Sequence, residues 1–500
     1  MKRLFKKKTL EVLLEEMAGE HRLRRVLGPV SLTALGIGTI IGAGIFVVIG
    51  TVAHDITGPS IIVSLMVSGV ACIFAALCYA EFASMAPVAG SAYTYASVTL
   101  GELFAWIIGW DLVLEYTVAA ASVSHGWSHY FQSFIGIFDL SVPHALSRAP
   151  FDIDAATGHL TATGTWIDLP AFAISGVLTL ILVLGIRESA RFNGVIVLIK
   201  LAVIAFVIVV GAFYINPANW TPFAPYGWKG LSFFGEKFVW GQTGPGGHPI
   251  GMLAGAGLMF FAYIGFDSVS TQAEEARNPQ RDVPIGIIAS LLICTFLYIA
   301  VASVVTGMTP SSQIDVDAPV AAAFKNAGLP WAHFLVSIGA LAGITSVQMV
   351  LMLSQPRVLL AMARDGLLPR SFFAAIHPKF RTPWKSTILT GICVGTISAL
   401  LPLRFLLELV NIGTLLAFVI VCLAVLVMRR IHPHAQRPFR CPFVPLTPIL
   451  GVLFCFILML SLPPGNWWRL LLWLLVGLGI YYFYGRRHSI HAIRQTDPED

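Results

Sequence analysis

Four glycines interrupt an apolar stretch of the sequence that is long enough to cross a membrane. Gly36, Gly38, Gly42 and Gly44 all fall within residues 30–53. Each glycine weakens a helix by about 1 kcal/mol relative to alanine, and backbone groups freed in hydrocarbon find no water to bind. The pattern predicts an opened helix whose backbone binds a polar ligand or an ion. The alternative is close helix packing, because Gly38 and Gly42 also form a small-xxx-small pattern.

A second interruption of the same kind is predicted in residues 255–268, which contain three further glycines. Two breaks at equivalent places in a chain are typical of a transporter site near the membrane midplane. Opening the first break exposes the N–H groups of Gly42, Ala43 and Gly44 at the positive end of a helix dipole, where a carboxylate binds well.

Backbone carbonyls at the two breaks suit the opposite charge, an ammonium group. We place them near Ile40 and around Phe261, Ala262 and Ile264, with Phe261 or Tyr263 closing over the ligand. A site that offers N–H groups and carbonyls together recognises an α-amino acid.

Lys200 lies about nine residues into a predicted span, so about 13 Å from its end at 1.5 Å per residue. An ammonium group is costly at that depth. One interpretation is a buried lysine that loads and releases a proton. The other is a lysine whose long side chain reaches the membrane interface.

Three acidic residues also fall in apolar surroundings. Glu115 lies near the middle of its span, and Asp111 lies one turn earlier on the same helix face. Each is a candidate proton carrier, a partner for a cationic substrate side chain, or a hydrogen-bonded structural acid. Asp267 follows Gly265 and is expected to cap the second half of its broken helix.

The composition identifies the class of protein that must position these residues. The chain has 500 residues, of which 56% are hydrophobic and 12% charged, against about 25% charged in soluble domains. This is a polytopic membrane protein. Its seven cysteines form no CxxC pattern, and we predict no metal site and no cofactor. No clustered nucleophile and base points to an enzyme, and membrane topology explains the basic charge without nucleic acid.

Twelve membrane spans are predicted, each with the roughly 20 apolar residues that a crossing requires. They are residues 30–53, 60–85, 100–128, 169–187, 192–215, 250–275, 283–307, 331–362, 386–402, 404–428, 445–462 and 467–484. Spans 1 and 6 are the interrupted ones. Residues 1–29 form a basic segment with an amphipathic helix over residues 9–25, and residues 485–500 form a tail.

The basic residues predict the orientation in the cell membrane. The protein has 32 Lys and Arg, and most of them lie on the side that holds both termini. The segments of the opposite side contain Arg148, Lys229, Lys237, Lys325, Arg404 and Arg469. Because cytoplasmic loops carry the excess of Lys and Arg, both termini are predicted to be cytoplasmic.

Several motifs outside the breaks are similar to one transporter family. They are residues 20–29 (EHRLRRVLGP), 87–95 (PVAGSAYTY), 109–116 (GWDLVLEY), 265–282 (GFDSVSTQAEEARNPQRD), 361–369 (AMARDGLLP) and 411–414 (NIGT). The chain resembles the cationic amino acid transporter family of the amino acid–polyamine–organocation superfamily, in its bacterial type. The likeness covers nearly the whole chain.

The resemblance implies an all-α membrane fold with a five-plus-five inverted repeat, as in sodium-coupled leucine transport. The repeats are residues 30–215 and 250–428, and two extra helices occupy residues 445–484. It also implies amino acid substrates and proton coupling, with Lys200 in the place of a bound ion. The neighbours that it implies for Lys200 are Gly38, Ile41, Thr345 and Ser346.

Three functions remain as alternatives. The preferred one is a proton-coupled amino acid symporter, and the second is an exchanger of one amino acid for another. The third, a sensor that does not transport, is weaker because no large soluble domain is predicted. The expected partners are the amino acid, a proton and membrane lipid, and a small membrane-protein subunit stays open. The sequence does not choose between cationic and neutral substrates.

Overall fold

A computed structural model describes residues 27–85, 91–153, 160–184, 189–232, 239–244, 248–380, 382–463 and 465–489. Most of the predicted N-terminal segment, including its amphipathic helix, lies outside the described residues. So do residues 490–500 of the predicted tail. Within the described ranges the protein is predominantly α-helical, and its strands are short pairs in connecting segments.

The first predicted span is broken where its glycines cluster. Helix α1, Pro29–Ile40, begins with a proline at its first position. The residue that follows its end, Ile41, has an extended backbone (φ −74°, ψ 103°). The helix resumes at Gly44 as a π-helical turn, Gly44–Val48. It continues through α2, Ile49–Val52, and a second π-helical turn, Ala53–Thr57.

The remaining helices occupy all the other predicted spans and several connections. They are α3 (Ile61–Met85), α4 (Ser91–Thr99), α5 (Glu102–Gly136), α6 (Leu169–Leu184), α7 (Ser189–Ala212), α8 (Met252–Met259), α9 (Pro279–Met308), α10 (Pro319–Asn326), α11 (Pro330–Arg364), α12 (Arg370–Phe373), α13 (Trp384–Leu400), α14 (Leu403–Ile431), α15 (Leu446–Leu460), α16 (Gly465–Ile480) and α17 (Arg486–His488).

Among the described residues, three antiparallel strand pairs lie in two long connections. The pair β1 and β2 belongs to the segment between α5 and α6, and the other two pairs to the segment between α7 and α8. The strands are β1 (Phe151–Ile153), β2 (Leu160–Ala162), β3 (Leu231–Ser232), β4 (Val239–Trp240), β5 (Gln242–Thr243) and β6 (Pro249–Ile250).

In the described part of the chain, 8 helical stretches are long and apolar enough to cross a membrane. Three shorter apolar helices, α1, α6 and α15, add to them. The structure therefore confirms an all-α, multi-pass membrane protein.

The two broken helices lie at the centre of the bundle. Residues 36–50 are buried, and so are residues 254–273. Helices α5 and α11 pack against each other beside the first break, and α9 packs against both α1 and α3. Four long helices thus enclose the segments whose backbones are open.

Candidate functional site

The first break leaves a row of backbone donors without partners. Among the described residues, no hydrogen bond is formed by the N–H groups of Gly42, Ala43 and Gly44. The first N–H groups of any helix lack partners within it. Here they face the interior of a membrane protein, so an anionic group is well placed to bind them.

The second break turns at a glycine with a left-handed backbone. Helix α8 tightens into a 3₁₀ turn, Phe260–Tyr263, and a second 3₁₀ helix, Phe266–Glu275, starts after Gly265 at φ +113°. A Cβ atom on Gly265 would lie 3.0 Å from the backbone oxygen of Thr39. Both the φ value and this close approach to the first break favour glycine.

Two side-chain hydroxyls join the breaks to each other. The Tyr298 hydroxyl on α9 lies 2.7 Å from the carbonyl oxygen of Ile40 and 2.9 Å from that of Ala262. The Thr39 hydroxyl lies 2.8 Å from the carbonyl oxygen of Gly36 and 3.0 Å from that of Gly265. The carbonyls that the sequence assigned to an ammonium group therefore already have a donor nearby.

A small cavity lies between the breaks. Its volume is about 10 Å³, roughly the space of one water molecule. Six of the seven predicted substrate residues line it: Ile40, Gly42, Ala43, Gly44, Phe261 and Ile264. The seventh, Ala262, packs on Gly44 instead, because a Cβ atom there would lie 2.5 Å from the Cα of Ala262.

The opposite wall of the cavity was missed by the sequence analysis. Ala119 and Val123 contribute it from α5, and Val347 and Leu351 from α11. These side chains carry no chemical signal, and only the packing of α5 against α11 selects the helix face that lines the cavity. Tyr263, a candidate to close over the ligand, donates to the carbonyl of Leu65 on α3 instead, at 2.8 Å.

Lys200 is fully buried and binds the end of α1. Its ammonium donates to the carbonyl of Gly38 at 2.7 Å and to that of Ile41 at 2.9 Å. Its side chain lies beside Gly343 of α11, where a Cβ atom would sit 3.4 Å from the lysine Cε. The long side chain therefore points inward and does not reach the membrane interface.

The two hydroxyls predicted beside Lys200 lie on the same helix, α11. The Thr345 hydroxyl accepts from the Trp127 indole N–H at 2.9 Å and donates to the carbonyl of Leu341 at 2.7 Å. Ser346 is fully buried. Between these described residues no hydrogen bond joins Lys200 to Thr345, and the carbonyls of Gly38 and Ile41 accept from the ammonium.

The three acids meet in one buried cluster. Asp111 and Glu115 lie on α5, and Asp267 reaches them from the 3₁₀ helix after the second break, where it interacts electrostatically with Glu115. The Tyr116 hydroxyl donates to Asp267 at 2.9 Å. One oxygen of each of the three carboxyl groups has no hydrogen-bond partner.

The expected capping role of Asp267 is wrong. The N-cap of the Phe266–Glu275 helix is Gly265, and Asp267 lies in the first turn. The positive φ of Gly265 directs the chain so that the Asp267 carboxyl turns toward α5 and binds Tyr116. Glu115 is not among the residues that line the cavity, since it lies one helical turn before Ala119.

Asn411 has a structural role that the sequence analysis did not assign, although it opens one of the recognised motifs. Its side-chain amide donates to the carbonyl of Gly257 at 2.9 Å and to that of Leu258 at 3.1 Å. These carbonyls lie at the end of α8. Two residues on, Gly413 leaves room for Asp111, because a Cβ atom there would lie 2.7 Å from Asp111 Oδ1.

The segment just before α10 packs against the second half of the first broken helix. A Cβ atom on Gly50 would lie 2.5 Å from the carbonyl oxygen of Asp315, just before α10. Nearby, Asp317 pairs with Arg148 at 3.1 Å and lies 3.2 Å from His129. These contacts hold the segment before α10 against the bundle.

Comparisons with known proteins identify the family of this chain. The profile of the amino acid permease family matches residues 27–481. A branched-chain amino acid permease of Bacillus subtilis is 46% identical over 97% of this chain and 98% of its own. A methylthioribose transporter of the same organism is 44% identical over 98% of this chain and 99% of its own.

A third relative supports the resemblance noted from the motifs. It is a vacuolar cationic amino acid transporter of Arabidopsis thaliana, 32% identical over 94% of this chain and 93% of its own. The matched profile covers both broken helices, Lys200 and the acidic cluster. The chain therefore belongs to the amino acid permease family of the amino acid–polyamine–organocation superfamily.

Proposed function

We propose that the protein carries neutral aliphatic amino acids across the cell membrane in symport with protons. One observation supports the amino acid most directly: the free N–H groups of residues 42–44 lie at one cavity with Ile40, and the Tyr298 hydroxyl joins the carbonyl of Ile40 to that of Ala262 beside it. The N–H groups bind the carboxylate. The ammonium group of the substrate binds the carbonyls of Ile40 and Ala262 after the Tyr298 hydroxyl moves away from them.

The walls of the cavity support a neutral substrate. Val123, Phe261, Ile264, Val347 and Leu351 present apolar side chains, and no acidic residue lines the space. A cationic side chain would lose its hydration there without gaining a partner. The relative named as a branched-chain amino acid permease agrees with this choice.

For the architecture we propose twelve spans with both termini in the cytoplasm. Helices α3, α5 and α6 are the second, third and fourth spans, and they pack against α9, α11 and α13, the corresponding spans of the second repeat. Such pairing is what two repeats of opposite orientation produce around a central axis. The excess of Lys and Arg sets the orientation.

For the mechanism we propose alternating access coupled to Lys200. The protonated ammonium holds the end of α1 through the carbonyls of Gly38 and Ile41. Loss of the proton leaves a neutral amine, whose hydrogen bonds to the two carbonyls are weaker because they are no longer charge-assisted, and this loosens the end of α1. In an exchanger the same lysine would remain charged throughout, and transport would not respond to a proton gradient.

The methylthioribose transporter suggests a second candidate substrate, a sugar with a methylthio group. The apolar cavity suits that group, but the sugar has no carboxylate for the N–H groups of the first break. Thermal shifts of the purified protein with each of the twenty amino acids and with methylthioribose separate the two, because a bound ligand stabilises the folded state. We expect leucine, isoleucine and valine to raise the Tm, and methylthioribose alone doing so would reject the amino acid.

The variant Gly44→Leu tests the position of the site. Its side chain would collide with Ala262, whose Cα is 2.5 Å from a Cβ built on Gly44. Transport should vanish while the protein still inserts in the membrane. Gly176→Leu on α6 is the matched control, because nothing lies within 4 Å of a Cβ atom there. Wild-type uptake by Gly44→Leu would reject this placement.

A further inference from the structure

A groove on the surface of the bundle runs along the first half of α9. Its volume is about 520 Å³. Gln280 and Arg281 lie at one end, Ile285 and Leu292 follow along the helix, and Phe439 stands on the opposite side. The groove is separate from the cavity between the broken helices and shares no residue with it.

The length of the groove matches the thickness of one membrane leaflet. From Arg281 to Leu292 is eleven residues, or about 16 Å along a helix, and half of the hydrocarbon thickness is about 15 Å. Residues 281, 285, 288 and 292 share one helix face because they are three or four apart. Ile285 is 39% exposed and Leu292 is 50% exposed, so no part of the described protein covers this apolar face.

The polar end of the groove carries a positive charge. Arg281 is exposed in the first turn of α9, and its guanidinium has no hydrogen-bond or ion-pair partner among the described side chains. The neighbouring acid, Asp282, is buried and accepts from the backbone N–H of Asn278. A guanidinium at a helix N-terminus is well suited to a phosphate group.

The wall opposite α9 is held in place by the core. The N–H of Phe439 donates to the Ser84 hydroxyl at 3.2 Å, and that of Cys441 donates to Glu81 at 2.8 Å. Glu81 also pairs with Arg429 at 2.7 Å. The segment that carries Phe439 is therefore fixed on α3, and the groove exists before any ligand binds.

We propose that this groove binds one anionic phospholipid, in the inner leaflet under the orientation proposed above. Its phosphate lies against Arg281, and one acyl chain follows Ile285, Ile288 and Leu292 toward the midplane. The phosphate finds a cation that no acidic side chain pairs with among the described residues, and the acyl chain covers apolar side chains that the described protein leaves open. A zwitterionic lipid fits the apolar part equally well but brings a second cation close to Arg281.

The test uses the full chain, purified and reconstituted with defined lipids. Native mass spectrometry counts retained phosphatidylglycerol and phosphatidylcholine with identical acyl chains. We expect the wild type to retain phosphatidylglycerol in preference, and Arg281→Gln to reduce that preference by about fivefold, the contribution of one basic residue near an anionic surface. Leu292→Trp fills the groove and should reduce retention of both lipids.

Arg430→Gln is the matched control, because Arg430 is an exposed arginine at the end of α14 that does not line the groove. It should keep the wild-type preference. The proposal is overturned if Arg281→Gln keeps the preference, or if Arg430→Gln reduces it as much, since general surface charge would then explain it. Thermal unfolding in lipid-free detergent checks that each variant is folded.

Discussion

Lys200 and the acidic cluster of Asp111, Glu115 and Asp267 are buried in one bundle and satisfied in different ways. Lys200 donates to two carbonyls at the open end of α1. Among the described residues, the Tyr116 hydroxyl donates to Asp267, and one oxygen of each of the three acids has no hydrogen-bond partner. In the described part of the chain no salt bridge joins the lysine to any of these acids.

The difference shows what each site depends on. The lysine depends on the helix break, because the carbonyls that hold it are free only where α1 ends. The acids depend on contact between α5 and the helix after the second break, which are distant in sequence. Movement of α1 therefore changes the environment of Lys200 directly, whereas movement of the Phe266–Glu275 helix changes that of the acids.

Replacing Lys200 by alanine should give the largest effect. We expect Lys200→Ala to abolish uptake driven by an inward proton gradient, and sodium should not restore it. Counterflow exchange should survive, because it needs no net movement of protons. Proteoliposomes with imposed gradients provide the measurement, and Lys325→Ala, at an exposed lysine on α10, is the control. Full accumulation by Lys200→Ala, or strict sodium dependence of the wild type, would refute the coupling.

Glu81 sharpens the comparison, because it is a buried acid that does have cationic partners. It accepts from Arg429 at 2.7 Å and lies 3.3 Å from Arg437. For Glu81→Gln we expect a loss of about 3 kcal/mol, the lower end for a broken buried pair, because the Arg429 side chain is 29% exposed. Thermal and denaturant unfolding in detergent measure this loss of stability. An unchanged stability would mean that the pair of Glu81 and Arg429 does not stabilise the segment that carries Cys441.

Removing the Tyr116 hydroxyl should have a smaller effect within the acidic cluster. Tyr116→Phe leaves Asp267 Oδ2 without its donor, and we expect a loss of about 1–3 kcal/mol for an unsatisfied buried group. Most of that loss should disappear when Asp267 is already alanine, since the double-mutant cycle isolates their interaction. Additive losses would show that the hydroxyl stabilises something else.

Neutralising Glu115 should change stability least. Among the described residues no cation pairs with Glu115, so Glu115→Gln breaks no ion pair and should cost less than about 1 kcal/mol, the size of one neutral hydrogen bond. The preference for leucine over lysine should also stay the same, since Glu115 does not line the cavity. If lysine binding weakens by about 1–3 kcal/mol more than leucine binding, Glu115 is a selectivity residue after all.

The glycines carried most of what could be predicted about the site. A run of glycines in a long apolar segment favours a break in the helix, and the first break and six cavity residues were predicted from local sequence. The two carbonyls that bind Lys200 were expected from the family resemblance. The chain's apolar composition likewise predicted a helical membrane protein, because hydrocarbon leaves the backbone few alternatives.

The far wall of the cavity and the contacts of the acids could not be predicted in this way. Ala119, Val123, Val347 and Leu351 are ordinary apolar residues in ordinary helices, and nothing local distinguishes their faces. Asp267 was expected to cap its own helix, which is the usual local role. Its carboxyl instead accepts a hydrogen bond from Tyr116, which lies 151 positions away in sequence.

The sequence by itself determined the places where the backbone opens, the charges that lie in the membrane and the overall class of the protein. Tertiary structure alone decided which side chains meet: Tyr298 with both breaks, Asn411 with the end of α8, and the three acids with one another. The physical reason is the distance in sequence over which each interaction acts. Helix breaking is a property of neighbouring residues, whereas these hydrogen bonds depend on how helices from distant parts of the chain pack.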